Sequence, residues 1–116
     1  TVLSTQNQHE VTVIAQKFRN IHLYGCWWYC NQPSIIDRLT RMRMEMLHTG
    51  FTAQHSDCRV LEQLIYKWRH SRRVICNVII DQLEKLRSSG WCLTAEEVQR
   101  AVGRLFGQAY EEFMEK

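Results

Sequence analysis

Apolar residues recur at steps of three and four along most of this chain, the spacing that places side chains on one face of an α-helix. The pattern covers residues 8–24, 33–50, 56–69, 74–89 and 94–113. Sustained strand-like alternation does not occur, and one proline and five glycines are too few for the turns that a β-sandwich of 116 residues requires. The sequence therefore predicts an all-α fold, a compact bundle of about five helices.

Local signals mark the predicted helix ends. Asn31 is expected to cap the second helix, and Ser56 or Asp57 is expected to cap the third. Thr94 and Glu97 have the spacing of a capping box, in which each side chain bonds the backbone of the other residue. These signals predict where the helices begin more sharply than where they end.

A polar gap interrupts the apolar pattern between Trp68 and Val74. Either one long helix crosses this gap, or a corner at His70 and Ser71 separates two helices. A compact domain folds a helix of this length back on itself more easily than it projects it, so the sequence favours the corner.

The length and composition fit one helical domain spanning residues 1–116, expected to be a processed product or a fragment because it begins without methionine. No window approaches the roughly 18 apolar residues of a membrane span, and no signal peptide is evident. An odd number of irregularly spaced cysteines favours reduced thiols and an intracellular protein. These residues are Cys26, Cys30, Cys58, Cys76 and Cys92.

Charge is polarised along the chain. Residues 59–73 carry five basic and one acidic side chain, a net charge of +4, whereas residues 96–116 have a net charge of −2. A basic run beside Trp68 is typical of surfaces that attract phosphate backbones, and short runs of this kind also act as nuclear import signals. Three interpretations remain open: a nucleic-acid contact, an acidic protein partner, or a solvated surface.

Two adjacent tryptophans form the second candidate site. Trp27 and Trp28 cannot both point inward from one short connection, so at least one ring is expected to be partly exposed. Exposed tryptophan near arginine is typical of a binding hot spot. The alternative is that both rings close the end of the bundle as part of the core.

Metal binding and catalysis have little support in the sequence. Cys26, Cys30, His55 and Cys58 form a loosely spaced zinc set, for which the alternative is buried free cysteine. A helical core of this size needs no metal, and we therefore expect neither a metal nor a cofactor. No phosphate loop, nucleophile elbow or metalloprotease motif is present, so the sequence predicts no enzyme.

The run from Leu61 to Ile75, followed by Val78, Ile79 and Leu83, resembles two helices of the integrase-binding domain of lens-epithelium-derived growth factor, a relative of TFIIS N-terminal domains. In that family a helix ends in a basic, aromatic corner and the next begins with a Val-Ile pair. The resemblance implies binding of short disordered segments from transcription and chromatin proteins.

The resemblance also implies which loops bind. One loop would contain Trp27 and Trp28, and the other would contain residues 68–71. The chain departs from the family at two points: Trp28 stands near the position of an acid that bonds the ligand backbone, and the phenylalanine of the second loop is absent, with only Trp68 beside its position. Retroviral matrix domains, which are small helical bundles with a basic face, offer an analogy without a sequence match.

The sequence therefore predicts a nuclear adaptor, more so than a cytoplasmic one, that captures an acidic peptide or partner helix. The alternative is a basic helical domain that binds nucleic acid through the same arginines. The predicted binding residues are Trp27, Trp28, Trp68, Arg69, His70, Arg72 and Arg73.

Overall fold

The computed structural model describes residues 4–55 and 57–116, together with the backbone but not the side chain of Trp28. Most of the described residues are helical. Within those two ranges the strand-like pairing is limited to one isolated bridge. The all-α prediction is confirmed.

Five α-helices follow one another along the described chain. A 3₁₀ turn, Trp28–Cys30, precedes the second helix, and a π-helical turn, Arg104–Gln108, joins the last two into one kinked unit. The described residues thus form four separate helical bodies, close to the predicted number of about five. The helices are α1 (Gln8–Lys17), α2 (Pro33–Leu47), α3 (Leu61–Ser88), α4 (Ala95–Gly103) and α5 (Ala109–Met114).

Helix α1 is shorter than the sequence predicted, and its buried side chains are polar. It ends at Lys17, not near residue 24, because Phe18 adopts extended dihedral angles of −117° and 113°. Its buried side chains are Gln8 and Thr12, whereas Phe18 is 57% exposed. Of the predicted apolar face, Val11 packs against the core, whereas Ile14 is 42% exposed.

The starts of α2 and α3 also differ from the prediction. Gln32, not Asn31, occupies the capping position of α2, and Pro33 stands in the first turn. Helix α3 begins at Leu61 behind Val60, whose side chain makes no capping hydrogen bond, so Asp57 does not cap this helix. Ser56, the other predicted cap, lies outside the described residues.

The predicted corner at His70 and Ser71 is wrong, because α3 continues without a break for 28 residues. Ser71 is fully buried, and its hydroxyl donates to the carbonyl oxygen of Lys67 at 2.6 Å. A small side chain whose hydroxyl is satisfied within the helix can occupy an inner position without an apolar group. The row Trp68, Ser71, Ile75 therefore keeps helical spacing across the polar gap.

The predicted capping box at the start of α4 is confirmed. The Glu97 amide donates to Thr94 Oγ1 at 3.2 Å, and the Thr94 amide donates to Glu97 Oε2 at 2.8 Å. Two backbone donors at the helix start are satisfied in this way.

The π-helical turn after α4 bonds to another segment of the chain. The Ala109 amide donates to the carbonyl groups of Arg104 and Gly107, and the chain is kinked here because Phe106 and Gly107 have non-helical dihedral angles, with a φ of +145° at Gly107. The Leu105 carbonyl oxygen accepts from the Ala53 amide at 2.8 Å. The kinked C-terminal unit is thereby attached to the segment that precedes α3.

Two short segments, residues 23–25 and 51–53, pair in parallel through the bridge between Tyr24 and Thr52. The Thr52 amide donates to the Leu23 carbonyl at 3.0 Å, and the Gly25 amide donates to the Thr52 carbonyl at 2.9 Å. We call these the bridge segments. Helix α2 connects them, which is the crossover arrangement that parallel pairing requires.

One hydrophobic core joins the bridge segments to the helices. Apolar side chains from both segments pack against α2, α3 and the π-helical turn. This packing fixes the direction of both bridge segments and hence the point at which each ends. The core side chains are Leu23, Cys26, Cys30, Ile36, Leu39, Phe51, Ala53, Ile75, Ile79 and Leu105.

Candidate functional site

Polar and aromatic side chains follow both bridge segments where the segments end. Trp27 comes two residues after the first segment, and His55 and Asp57 follow the second. Because the segments are parallel, their carboxyl ends meet at the same edge. The side chains that follow the two segments are thereby brought together, and Trp27, His55 and Asp57 line one cavity at this edge. The carboxyl ends are therefore the candidate site.

Three adjoining cavities open at this edge, and we call them together the cleft. The aromatic cavity has a volume of about 430 Å³, the middle cavity about 260 Å³ and the charged cavity about 490 Å³. Tyr24 and His55 line both the aromatic and the middle cavity, while Trp27 and Asp57 line both the middle and the charged cavity. The shared walls make the three cavities one continuous surface.

The charged cavity combines one acid, two cations and aromatic rings. Lys67 Nζ donates to the backbone carbonyl of Asp57 at 2.9 Å, which holds the segment before α3 against the helix. The Arg59 amide donates to Gln63 Oε1 at 3.3 Å. Asp57 has a φ of 39°, an uncommon value for a residue other than glycine. The lining residues are Trp27, Tyr29, Asn31, Asp57, Arg59, Gln63 and Lys67.

His55 is held directly against the backbone of Gly25. A Cβ atom built on Gly25 would lie 1.8 Å from His55 Cδ2, so only glycine fits at this position. The His55 ring meets Tyr24 edge-on, with centroids 5.0 Å apart, and its buried Nε2 has no hydrogen-bond partner among the described residues. Burial lowers the pKa of His55, and we therefore expect a neutral imidazole at neutral pH.

The aromatic cavity lies between the bridge and the kinked C-terminal unit. Trp68 packs on Phe106 with a centroid distance of 6.2 Å, and Tyr24 meets Tyr110 at 6.5 Å. Thr52 and Gln54 contribute the polar groups of the wall. The Trp68 ring is partly buried against the C-terminal unit.

The predicted tryptophans lie along the cleft, but the predicted basic residues do not line it. Trp27 borders the charged cavity and Trp68 borders the aromatic cavity. The side chain of Trp28 lies outside the described part of the structure.

Arg69 and Arg73 are exposed on α3 and line none of the three cavities. Arg72 borders an adjoining groove that shares Trp68 and Phe106 with the aromatic cavity, and the ring of His70 stacks on that of Tyr66 at 5.9 Å. The predicted basic corner is instead one exposed face of a straight helix.

The four residues of the loosely spaced zinc set differ in their surroundings. Cys26 and Cys30 are buried and Cys58 is partly exposed. Burial raises the pKa of Cys26 to about 11, which disfavours the thiolate that zinc requires. Across residues 4–55 and 57–116, no three His, Cys, Asp or Glu side chains are grouped closely enough to hold a metal ion.

The sequence analysis missed the side chains that give the charged cavity its chemistry. Asp57, Arg59 and Lys67 were counted only as a helix cap or as part of the basic run. Because the two paired segments are only a few residues long, no pattern in the sequence would have identified them.

None of the helices in the described ranges has the length and apolarity needed to cross a membrane.

No protein-family model and no curated protein sequence matches the chain. Among solved structures, it is similar to the crystal structure of an uronate isomerase from Bacillus halodurans C-125. The two are 52% identical and superpose with a TM-score of 0.95 over 100% of this chain and 28% of that chain. The chain thus spans less than a third of the length of the protein that it matches.

This similarity overturns the expected relation to the integrase-binding and TFIIS N-terminal domains, which rested on a helix pattern that unrelated bundles share. The same similarity contradicts the predicted adaptor and nucleic-acid-binding functions. It also contradicts the predicted role in transcription and the predicted nuclear location. What this chain resembles over its whole length is part of an uronate isomerase.

Proposed function

We propose that this chain is a segment of a uronate isomerase and that its cleft forms part of the sugar-acid site. The observation that carries the proposal is the 52% identity to an uronate isomerase over 100% of the chain. Because a fold alone does not imply a function, the chemistry of the cleft has to agree with the substrate. The proposal departs from the non-catalytic role that the sequence predicted.

The charged cavity suits a sugar acid. A uronate carries a carboxylate on a polyhydroxylated carbon chain. Arg59 and Lys67 supply two cations, and a guanidinium group pairs with a carboxylate through two parallel hydrogen bonds. Trp27 and Tyr29 supply aromatic surfaces for the C–H groups of the sugar. The rings suit any sugar, and the two cations distinguish a uronate from a neutral sugar.

Asp57 is suited to the proton transfers of an isomerisation. In an isomerisation through an enediol, a basic group takes a proton from one carbon atom and returns it to the neighbouring carbon, while a hydroxyl proton moves between the two oxygen atoms on these carbons. A carboxylate within reach of the substrate can perform both steps. The carboxylate of a uronate lies at the opposite end of the carbon chain from the reacting carbons, so a substrate bound by Arg59 would extend across the charged cavity that Asp57 also lines.

The test is an activity assay of the full-length protein on a panel of uronates, followed by proton NMR. We expect at least one uronate to be converted to an isomer, and the neutral sugars that lack the carboxylate to remain unchanged. Asp57→Asn should reduce kcat at least about 100-fold, the size of a lost general base. The exposed first-turn acid of α3 provides the matched control, Glu62→Gln. A folded protein that converts no uronate contradicts the proposal.

A further inference from the structure

A buried arginine links α2 to the carboxyl end of the first bridge segment. Arg43 is 2% exposed. Its NH1 group donates to the Gly25 carbonyl at 2.7 Å, and its NH2 group donates to Gln8 Oε1 at 2.8 Å. The guanidinium group thus connects three parts of the fold: α1, α2 and the bridge.

Gln8 extends this hydrogen-bonded link to Cys30, at the other end of residues 25–30. Its amide nitrogen contacts Cys30 Sγ at 3.7 Å and donates to the Ser4 carbonyl at 3.0 Å. Arg43 and Gln8 therefore reach both ends of residues 25–30. This aromatic segment carries Trp27 and Tyr29, which line the charged cavity.

Charge pairing does not account for the burial of Arg43. The described ion pairs involve Arg41 and Arg104, and the Arg43 Nε group has no hydrogen-bond partner among the described residues. Burial lowers the pKa of Arg43, which reflects the unfavourable removal of its charge from water. An apolar side chain of similar volume is often at least as stabilising at such a position.

We propose that Arg43 and Gln8 are positioning residues that hold the aromatic segment, residues 25–30, in the shape that binds the sugar. The proposal rests on the proposed function of the cleft. Neither side chain lines the charged cavity, so both act through Gly25 and Cys30. A guanidinium group suits this task because its donors point in fixed directions, toward Gly25 and Gln8 at once.

Three variants of the full-length protein separate the two ends of this arrangement. Arg43→Met removes every donor while keeping the volume, and Arg43→Lys keeps the charge with shorter reach. Gln8→Glu keeps the acceptor for Arg43 but removes the donor to Cys30. The matched control is Arg41→Met on the same helix, which loses its contacts to Asp37 and Asp81 but touches no part of the aromatic segment.

Hydrogen exchange of the amides in residues 25–30, measured without ligand, reports the shape directly. We expect exchange about tenfold faster in Arg43→Met, with a smaller effect confined to the Cys30 end in Gln8→Glu. Arg43→Lys should restore part of the protection. With a uronate, KM should rise about tenfold in Arg43→Met while kcat changes less than about threefold, because positioning affects binding before chemistry. The control should match the wild type in both measurements.

Wild-type exchange and KM in a folded Arg43→Met protein overturn the proposal, as does faster exchange spread evenly over the molecule with unchanged KM. If Arg43→Met does not fold, unchanged exchange and KM in both Arg43→Lys and Gln8→Glu overturn it equally. A wild-type protein without activity on uronates refutes the proposed function alone, since the exchange measurement still decides whether Arg43 and Gln8 hold the segment.

Discussion

Arg59 provides the charge that most directly separates a sugar acid from a neutral sugar. It precedes α3 and lines the charged cavity together with Asp57 and Lys67. The Lys67 ammonium group donates to the backbone carbonyl of Asp57, so it holds the wall of the cavity in place in addition to lining it. Among the residues of this cavity, Arg59 alone offers a fork of donors that matches a carboxylate.

Replacement of Arg59 by methionine should therefore weaken substrate binding. A hydrogen bond to a charged group contributes about 1.5–3 kcal/mol, which corresponds to a KM about 10- to 100-fold higher. Steady-state kinetics on a uronate gives this value. Arg69→Met removes an exposed arginine from α3 outside the cleft and should leave KM unchanged. Equal KM values for the two variants would exclude Arg59 from carboxylate binding.

Gly25 is required by its backbone angle and by its neighbour. Its φ is +66°, and His55 occupies the space that a Cβ atom would need. Gly90 has a comparable φ of +96° but no atom within 4 Å of the added Cβ. Gly90→Ala should cost about 1–2 kcal/mol through backbone strain alone. Gly25→Ala should cost at least about 3 kcal/mol because overpacking adds to the strain. Urea unfolding of both variants provides the comparison, and equal losses would show that His55 moves away freely.

Among the helices, α3 continues across the polar gap in its sequence with one small buried side chain, Ser71, on its inner face. Ser71 is fully buried and bonds the preceding turn. Ser71→Leu should lower the free energy of unfolding by about 1–3 kcal/mol, since the added atoms have no space. Ser71→Ala should have a much smaller effect. Thermal unfolding with Asn77→Leu, an exposed position on the same helix, gives the control. Equal stability of Ser71→Leu and Asn77→Leu would mean that the inner row tolerates bulk at this point.

The helices could be predicted from the sequence where the residues with helical apolar spacing are also the residues that pack in the core. Pro33 and the pair Thr94 and Glu97 mark helix starts in the structure as they do in the sequence. The pattern failed where polar side chains face inward. Gln8 and Ser71 are buried, yet each satisfies its polar groups through specific partners that periodicity does not reveal.

The candidate site was harder to predict than the fold. Trp27 was identified as a binding residue and does border the cleft. Asp57 and Arg59 come close to Trp27 only because two segments 28 residues apart in sequence pair in parallel. Each paired segment is too short to show the alternation of apolar and polar residues that identifies a strand. The basic residues of α3 were predicted to bind a partner because they cluster in sequence. Such clusters on an exposed helix face are commonly solvated charge.

For the molecule as a whole, two histidines should make folding sensitive to acid. His22 contacts the rings of Tyr110 and Phe113 and its Nε2 lies 3.0 Å from Thr52 Oγ1. Burial, with a smaller contribution from nearby cations, lowers the pKa of His22 below 6.5, and burial likewise lowers that of His55. As the pH falls through 6.5, the unfolded chain takes up protons that the folded protein resists, so stability decreases.

The free energy of unfolding should therefore fall as the pH is lowered from about 7 to about 5, the range in which the histidines of the unfolded chain take up protons. Urea unfolding across this range measures the slope. His22→Gln should flatten it, whereas His9→Gln, a change at an exposed position of α1, should not. An identical slope in the His22 variant would place the acid sensitivity in other groups.

The hydrogen bond between the kinked turn Arg104–Gln108 and Ala53 depends on the number of residues in this turn. The Leu105 carbonyl accepts from the Ala53 amide, which belongs to a residue that is 1% exposed. Deleting one residue here would disturb the kink at Phe106 and Gly107 and leave that buried amide without an acceptor. Natural insertions and deletions between Thr94 and Tyr110 should therefore be selected against even where the side chains themselves vary freely.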